Sequence, residues 1–260
     1  LKIGKTTGSQ TFVLDNSTNL TLQKNSEIFF NSGSILNYSG AEVSLGKILT
    51  LGGSGQLQNT NDLNLGAGGK LKLSEISVAK VITSADSLGL DIDNDTTITS
   101  LSVSNLTPVS ITDGKSLSGG ITVNTGGTVQ LTDNGTLASN ISMSGGTLDA
   151  DNSLTISGTV TSAGDFSIDV DSGKTVTFDN GTINTENYQL TLEGAGTIAF
   201  PDNAPGIVVN NAGGLLKMDG SGSTLGAAQV TAVSNTGKGL SVNASSTISN
   251  LKVAANTELN

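Results

Sequence analysis

The sequence predicts an all-β chain wound as a parallel β-solenoid of about 12–13 coils. Three observations carry that expectation. Apolar residues alternate along short pieces divided by turn-forming clusters, the pieces recur about every 8 to 12 residues, and the chain repeats itself at an offset of about 150 residues.

The alternation is plainest over residues 121–160. Ile121/Val123, Val129/Leu131, Ile141/Met143 and Leu154/Ile156 place apolar side chains at i and i+2, the period of a strand with one buried face. Between them, residues 124–127, 133–135, 144–146 and 150–153 gather Asn, Asp, Ser and Gly, which accept left-handed geometry or bond their own backbone. Gly-Thr followed by an aliphatic residue recurs at Gly127, Gly135, Gly146, Gly158, Gly181 and Gly196, so glycine is expected to end each turn and threonine to open each strand. Earlier pairs are Leu1/Ile3, Phe12/Leu14, Leu20/Leu22, Ile28/Phe30, Val43/Leu45, Leu49/Leu51, Leu63/Leu65 and Leu71/Leu73. Residues 75–87, the longest helical candidate, carry Ile76, Val78, Val81 and Ile82, whose alternation fits a strand at least as well. The pattern resumes in Leu101/Val103, Val109/Ile111, Val176/Phe178, Leu190/Leu192, Ile198/Phe200 and Ile207/Val209.

The long repeat selects among all-β architectures. Residues 89–103 align without gaps on 239–253, with Gly89, Leu90, Thr97, Ile98, Leu101 and Val103 identical to Gly239, Leu240, Thr247, Ile248, Leu251 and Val253. Leu49, Leu51 and Gly53 match Leu190, Leu192 and Gly194, and Leu1, Ile3, Phe12 and Asp15 match Leu154, Ile156, Phe166 and Asp169. The expected organisation is one continuous segment over 1–260, with a first copy over 1–153 and a partial second over 154–260. A barrel or sandwich has a fixed strand count and no reason to stop midway through a second copy. A solenoid lengthens coil by coil, because each coil contacts only its neighbours. With about twenty residues per coil and about 4.8 Å between stacked strands, the expected rod is about 60 Å long. Val, Ile and Leu should stack in columns inside, with Thr, Ser and Asn ladders outside and at the corners. The offset drifts between matches, so loops of unequal length are expected, with residues 201–205 in one of them.

Composition removes several function classes. The chain has 34 glycines, 3 prolines, no Cys, no His and no Trp, and its 12 basic residues are all lysine. A net charge of −10 without arginine argues against nucleic acid and against anionic lipid. No run approaches the roughly eighteen apolar residues of a spanning helix, so membrane insertion is not expected. Without cysteine, disulfide scaffolds and thiolate zinc sites are excluded. The chain opens at Leu1 with neither an initiator Met nor a signal peptide, so an excised or processed piece is expected. Low charge with abundant Asn, Ser and Thr is a habit of secreted bacterial surface proteins.

The strand–turn cadence, the Gly-Thr-aliphatic starts, the missing cysteine and the low aromatic content together resemble the passenger regions of bacterial autotransporters and haemagglutinin-like repeat adhesins. The resemblance covers the whole chain. It implies a right-handed parallel β-helix, secretion, and display on the outer surface of a bacterium as a stalk or adhesive surface. The partners it implies are adjoining repeats of the same chain and a host-surface glycan or protein. Sandwich-type adhesin repeats, strung like beads, are the structural rival. Open strand edges at the two ends of a β-helix also allow end-to-end self-association into a filament, sheath or matrix.

Candidate chemistry is sparse. Without histidine, the common hydrolase triads and histidine-ligated metals are excluded. A β-helix acting on glycans would need converging carboxylates and stacking aromatics, and the aromatics are few: Phe12, Phe29, Phe30, Tyr38, Phe166, Phe178, Tyr188 and Phe200. Such an enzyme remains the third reading, after a non-catalytic stalk and a filament. Asp91, Asp93 and Asp95 alternate, so in a strand their carboxylates would share one face and present oxygen ligands suited to calcium. Asp149/Asp151 and Asp169/Asp171 are shorter versions. Against calcium, the trio becomes Ser241, Asn243 and Ser245 in the second copy, and no EF-hand loop completes it, which favours solvated acidic turns that discourage aggregation. Gly4-Lys5-Thr6 and the glycine-rich 66–70 lack the rest of a phosphate-binding loop and read as turns. Thr-X-Thr pairs at Thr97/Thr99, Thr159/Thr161 and Thr175/Thr177 are too sparse for an ice-binding face.

Overall fold

Leucine and β-branched residues at i and i+2 all turn to one side of a pleated ribbon, so each alternating piece becomes a strand that must bury that side. The computed structural model describes residues 2–3, 11–14, 20–38, 43–59, 62–84, 87–180, 182–201, 206–209, 214–220, 224–232, 238–242, 245–253 and 258–259. Over these residues the chain is strand and turn, and none is helical.

The strands form three stacks that face one another as a three-sided prism. The first face is a thirteen-stranded sheet, one strand per coil. It runs through Lys2–Ile3, Ser26–Phe30, Ile48–Gly52, Lys70–Ser74, Gly89–Ile92, Leu106–Ile111, Thr128–Leu131, Thr147–Ala150, Phe166–Val170, Gln189–Gly194, Leu215–Met218, Lys238–Val242 and Glu258–Leu259. The second face holds strands such as Ile35–Tyr38, Gln56–Asn59, Leu154–Ile156 and Thr175–Phe178, and the third holds Leu63–Leu65, Asn140–Ser144, Val160–Ser162 and Gly206–Val209. Ser77–Thr83, Thr96–Val103 and Ser116–Asn124 run through the corner between these two faces and join their hydrogen bonds into one network. That corner is not a closed barrel, because each pairing joins one coil to the next and is parallel. No antiparallel ladder joins the described strands, which removes the strung-bead rival. Thirteen stacked strands make a rod of about 58 Å.

The interior is the set of aliphatic columns that the alternation requires. On the third face Leu63, Val81, Leu101, Ile121, Ile141, Val160, Ile183 and Ile207 follow one another in register, and all are buried. On the first, Leu49, Leu71, Leu90, Val109, Leu131, Ala150 and Val170 do the same. Residues 75–87 contain the strand Ser77–Thr83 and no described helix.

Coil length varies. Lys70 lies opposite Gly89, nineteen residues on, whereas Gln189 lies opposite Leu215, twenty-six on. Two of the sequence matches occupy equivalent places: Ile48–Gly52 and Gln189–Gly194 are the third and tenth strands of the first face, and Gly89–Ile92 and Lys238–Val242 the fifth and twelfth. The match of Leu1/Ile3 to Leu154/Ile156 joins different faces, since Lys2–Ile3 belongs to the first and Leu154–Ile156 to the second. The stack passes residue 154 without a break, through Thr136–Leu137, Leu154–Ile156 and Thr175–Phe178. Residue 201 is described and 202–205 lie outside the described residues.

One strand was not legible as an apolar pair. Gln56–Asn59 turns Leu57 and Asn59 inward, and Asn59 is a buried amide. Its Oδ1 accepts the backbone N–H groups of Ala79 and Lys80, both at 3.2 Å, and its Nδ2 donates to the Lys80 carbonyl at 2.7 Å. One side chain thus satisfies three backbone groups where Ser77–Thr83 bends from the second face to the third. Asn59→Ala should therefore lose about 1–3 kcal/mol, the cost of buried backbone groups left without partners. Urea unfolding at an unchanged slope would show it, and an unchanged midpoint would contradict the assignment.

Candidate functional site

Outward positions of the first face carry ionic contacts between neighbouring coils. Lys72 lies directly opposite Asp91, and Lys70 lies two residues before it on the same strand. Both reach that carboxylate, Lys70 Nζ at 2.7 Å from Oδ1 and Lys72 Nζ at 3.2 Å from Oδ2. Asp91 is thus neutralised by two ammonium groups of the preceding coil.

The candidate calcium trio, which the sequence reading weighed below solvated turns, is not carried on one strand. The strand Gly89–Ile92 ends before Asp93, so only Asp91 belongs to it. Asp93 and Asp95 occupy the following bend, where Asn94 Nδ2 donates to Ser74 Oγ at 2.8 Å. Asp95 Oδ1 accepts the Ser116 amide at 2.9 Å and its hydroxyl at 3.0 Å, tying one coil to the next. The physical reason is the Asp-Asn-Asp run, whose short side chains bond backbone and neighbours in a turn rather than continue a ladder. Among the described residues no group of three or more such side chains is placed to hold a metal ion.

Further along the same face the shorter acidic pairs form a file. Asp149 lies opposite Asp169, and Asp169 opposite Glu193, in register on three successive coils. Parallel strands leave about 4.8 Å between rungs, so like charges meet at close range and oppose ionisation. Burial, reinforced by Asp151, Asp169 and Asp171, pushes Asp149 up to about 6. Burial and then Asp171 and Asp151 raise Asp169. Burial, Asp169 and Asp219 raise Glu193, with Lys217 opposing. Gln130 Nε2 donates to Asp151 Oδ2 at 3.0 Å, which holds one member of the group as an acceptor.

A carboxyl whose pKa is higher folded than unfolded binds its proton more tightly in the folded state, so protonation stabilises the fold. Stability should rise as pH falls from about 7 to about 4, and level off where both states are protonated. Without solvent the gain from Asp149 would be about 3 kcal/mol; its partial exposure reduces this to about 1 kcal/mol. Asp149→Asn should raise the melting temperature at pH 7.5 and flatten its pH dependence, leaving the share due to Asp169 and Glu193. Equal pH slopes for the two proteins would contradict this.

Residues 66–70 make a tight turn closed by Gly69 N–H to the Gly66 carbonyl at 2.9 Å. Gly4, Lys5 and Thr6 lie outside the described residues. Thr175, Thr197, Thr224 and Thr247 do align over four coils, but the companion column reads Thr155, Thr177, Ala199, Gly226, so the paired hydroxyls stop. Comparison with protein-family models, with curated proteins and with solved structures finds no match to this chain.

Proposed function

We propose that the chain is a structural segment, a stiff extracellular stalk or adhesive surface of a bacterial cell-surface protein, without catalysis. What supports the reading is the unbroken stacking of thirteen parallel strands over in-register aliphatic columns. Hydrogen bonds between rungs run along the rod axis, so bending the rod stretches many of them together while each coil seals the hydrophobic interior of the next. The carboxylates Asp149, Asp169 and Glu193 stand in one file rather than as an opposed pair across a sugar, the arrangement glycoside cleavage uses. Small-angle scattering from the purified chain should give a rod of about 60 Å, and incubation with acidic and neutral polysaccharides should release no product. A compact, near-spherical particle would sink the stalk, and product release would sink its non-catalytic character.

A second reading, a subunit of a self-assembling filament, is favoured by the pairing of the first face, where each strand is parallel to, and in register with, the strand of the next coil, so that one coil is a template for another. Long fibres of this chain alone in negative stain would favour the subunit over the stalk.

A further inference from the structure

Charge is divided unevenly along the first face. Lysines gather towards its start: Lys24 and Lys47, both exposed, precede the second and third strands, and Lys70 and Lys72 lie on the fourth. Lys24 and Lys47 stand one coil apart, each two residues before a member of the pair Ser26 and Leu49. On the coil after, Lys70 N–H donates to the Lys47 carbonyl at 3.2 Å. Lys70 and Lys72 share the one carboxylate of Asp91, so the three together keep a positive charge. The carboxylates Asp149, Asp169 and Glu193 occupy the eighth, ninth and tenth strands, where like charges repel one another.

Between the two charged stretches lies an apolar one. Leu88, directly before the fifth strand, is 53% exposed, and Leu106, which opens the sixth, is 48% exposed. Pro108, the next outward residue after Leu106, is half-buried. The layout is symmetric about this stretch. One outward column runs from Lys70 through Gly89, Pro108 and Gln130 to Asp149. Pro108 is its midpoint, two coils after Lys70 and two before Asp149. A two-fold axis lying across the face, along Leu106–Ile111, reverses the rod direction and keeps each column opposite itself. It brings Lys70 of each copy to Asp149 of the other, and the outward residues of the sixth strand to their own counterparts. The same axis sets the third strand, entered past Lys47, against the ninth with Asp169. It sets the second, entered past Lys24, against the tenth with Glu193.

We propose that two copies of the chain pair side by side and antiparallel through this face, with Leu106 and Pro108 at the dyad and the lysines of each copy on the carboxylate file of the other. The ammonium groups of the second copy offset the repulsion within the file, and the apolar centre leaves water. From the second to the tenth strand the face is about 38 Å long and about 16 Å wide, which buries about 1,200 Å² over both copies, the lower edge of specific interfaces. A dissociation constant in the micromolar range is expected. The pairing goes beyond the stalk and the filament, since it uses side chains of a face rather than coil ends and closes at two copies.

Sedimentation velocity on the full chain over a range of micromolar concentrations tests it and should show a monomer passing to a dimer. Lys70→Glu and Asp149→Lys should each weaken the dimer at least about tenfold, because each sets two like-charged pairs across the dyad. Mixed in equal amounts, the two variants should regain the dimer, since every such pair between unlike copies is then of opposite sign; recovery on mixing rules out a folding defect. The chain has no cysteine, so a single introduced one reports its own contacts. Leu106→Cys should cross-link copy to copy with diamide, and Val242→Cys, exposed on the twelfth strand, should not. A monomer throughout, growth past the dimer, a dimer that both charge variants leave intact, no recovery on mixing, or cross-linking at 242 in place of 106 would overturn the proposal.

Discussion

Gly89→Ala is expected to destabilise the protein by about 2–5 kcal/mol, far more than a surface substitution. Gly89 opens a strand of the first face at φ of 78°, a conformation that costs a residue with a Cβ roughly 1–2 kcal/mol. A methyl group there would also overlap the Pro108 carbonyl oxygen of the next coil. That neighbour is backbone of a paired strand, so relief requires moving the whole coil, for about 1–3 kcal/mol more. Gly66→Ala is the control. No atom lies within 4 Å of a methyl built on Gly66, and its stability should stay within about 0.5 kcal/mol of the parent. Urea midpoints at equal slope decide the matter. Gly89→Ala unfolding together with Gly66→Ala would show that the coils are not packed at backbone distance.

The same contact explains what the sequence did and did not disclose about its glycines. Gly127, Gly146, Gly158 and Gly196, which precede the threonine starts, do not sit in the left-handed region; a Cβ on each would meet backbone of the preceding coil. The turning is done one or two residues earlier, at Gly126, Gly145 and Gly194, where φ is positive. Composition signals both requirements with one residue type and does not separate them. Strand positions were legible because alternation is local: Leu49/Leu51, Ile141/Met143 and Val176/Phe178 each announce their own buried side. Gln56–Asn59 was not, since its second inward residue is polar and earns its place through the backbone of another coil. Coil length was legible only on average. Asp149 and Asp169 are twenty residues apart and Asp169 and Glu193 twenty-four, so no constant period brings out the acidic file. The aspartates 91, 93 and 95 show the opposite limit, because spacing of two implies a shared face only while the strand lasts, and theirs ends at Ile92.

Phe178→Ala should remove about 3–5 kcal/mol and, more tellingly, remove it locally. The ring is buried at the inner end of Thr175–Phe178, in register with Ile156. It stacks on Phe200 of the next coil, with centroids 5.5 Å apart and planes inclined by 21°. Truncation therefore opens a cavity between two coils and breaks an aromatic pair that contributes up to about 1.5 kcal/mol beyond its buried area. In a rod whose coils contact only their neighbours, such a loss weakens one interface and leaves distant ones intact. Amide exchange should accelerate around Thr175–Phe178 and Thr197–Ala199 while Lys70–Ser74 and Gly89–Ile92 keep their protection. Phe178→Leu, which refills most of the volume, should cost less than half as much. Exchange that accelerates evenly over all coils would mean the rod opens as one cooperative body. Nearest-neighbour stacking would then be the wrong account of its stability, even with every strand in its observed place.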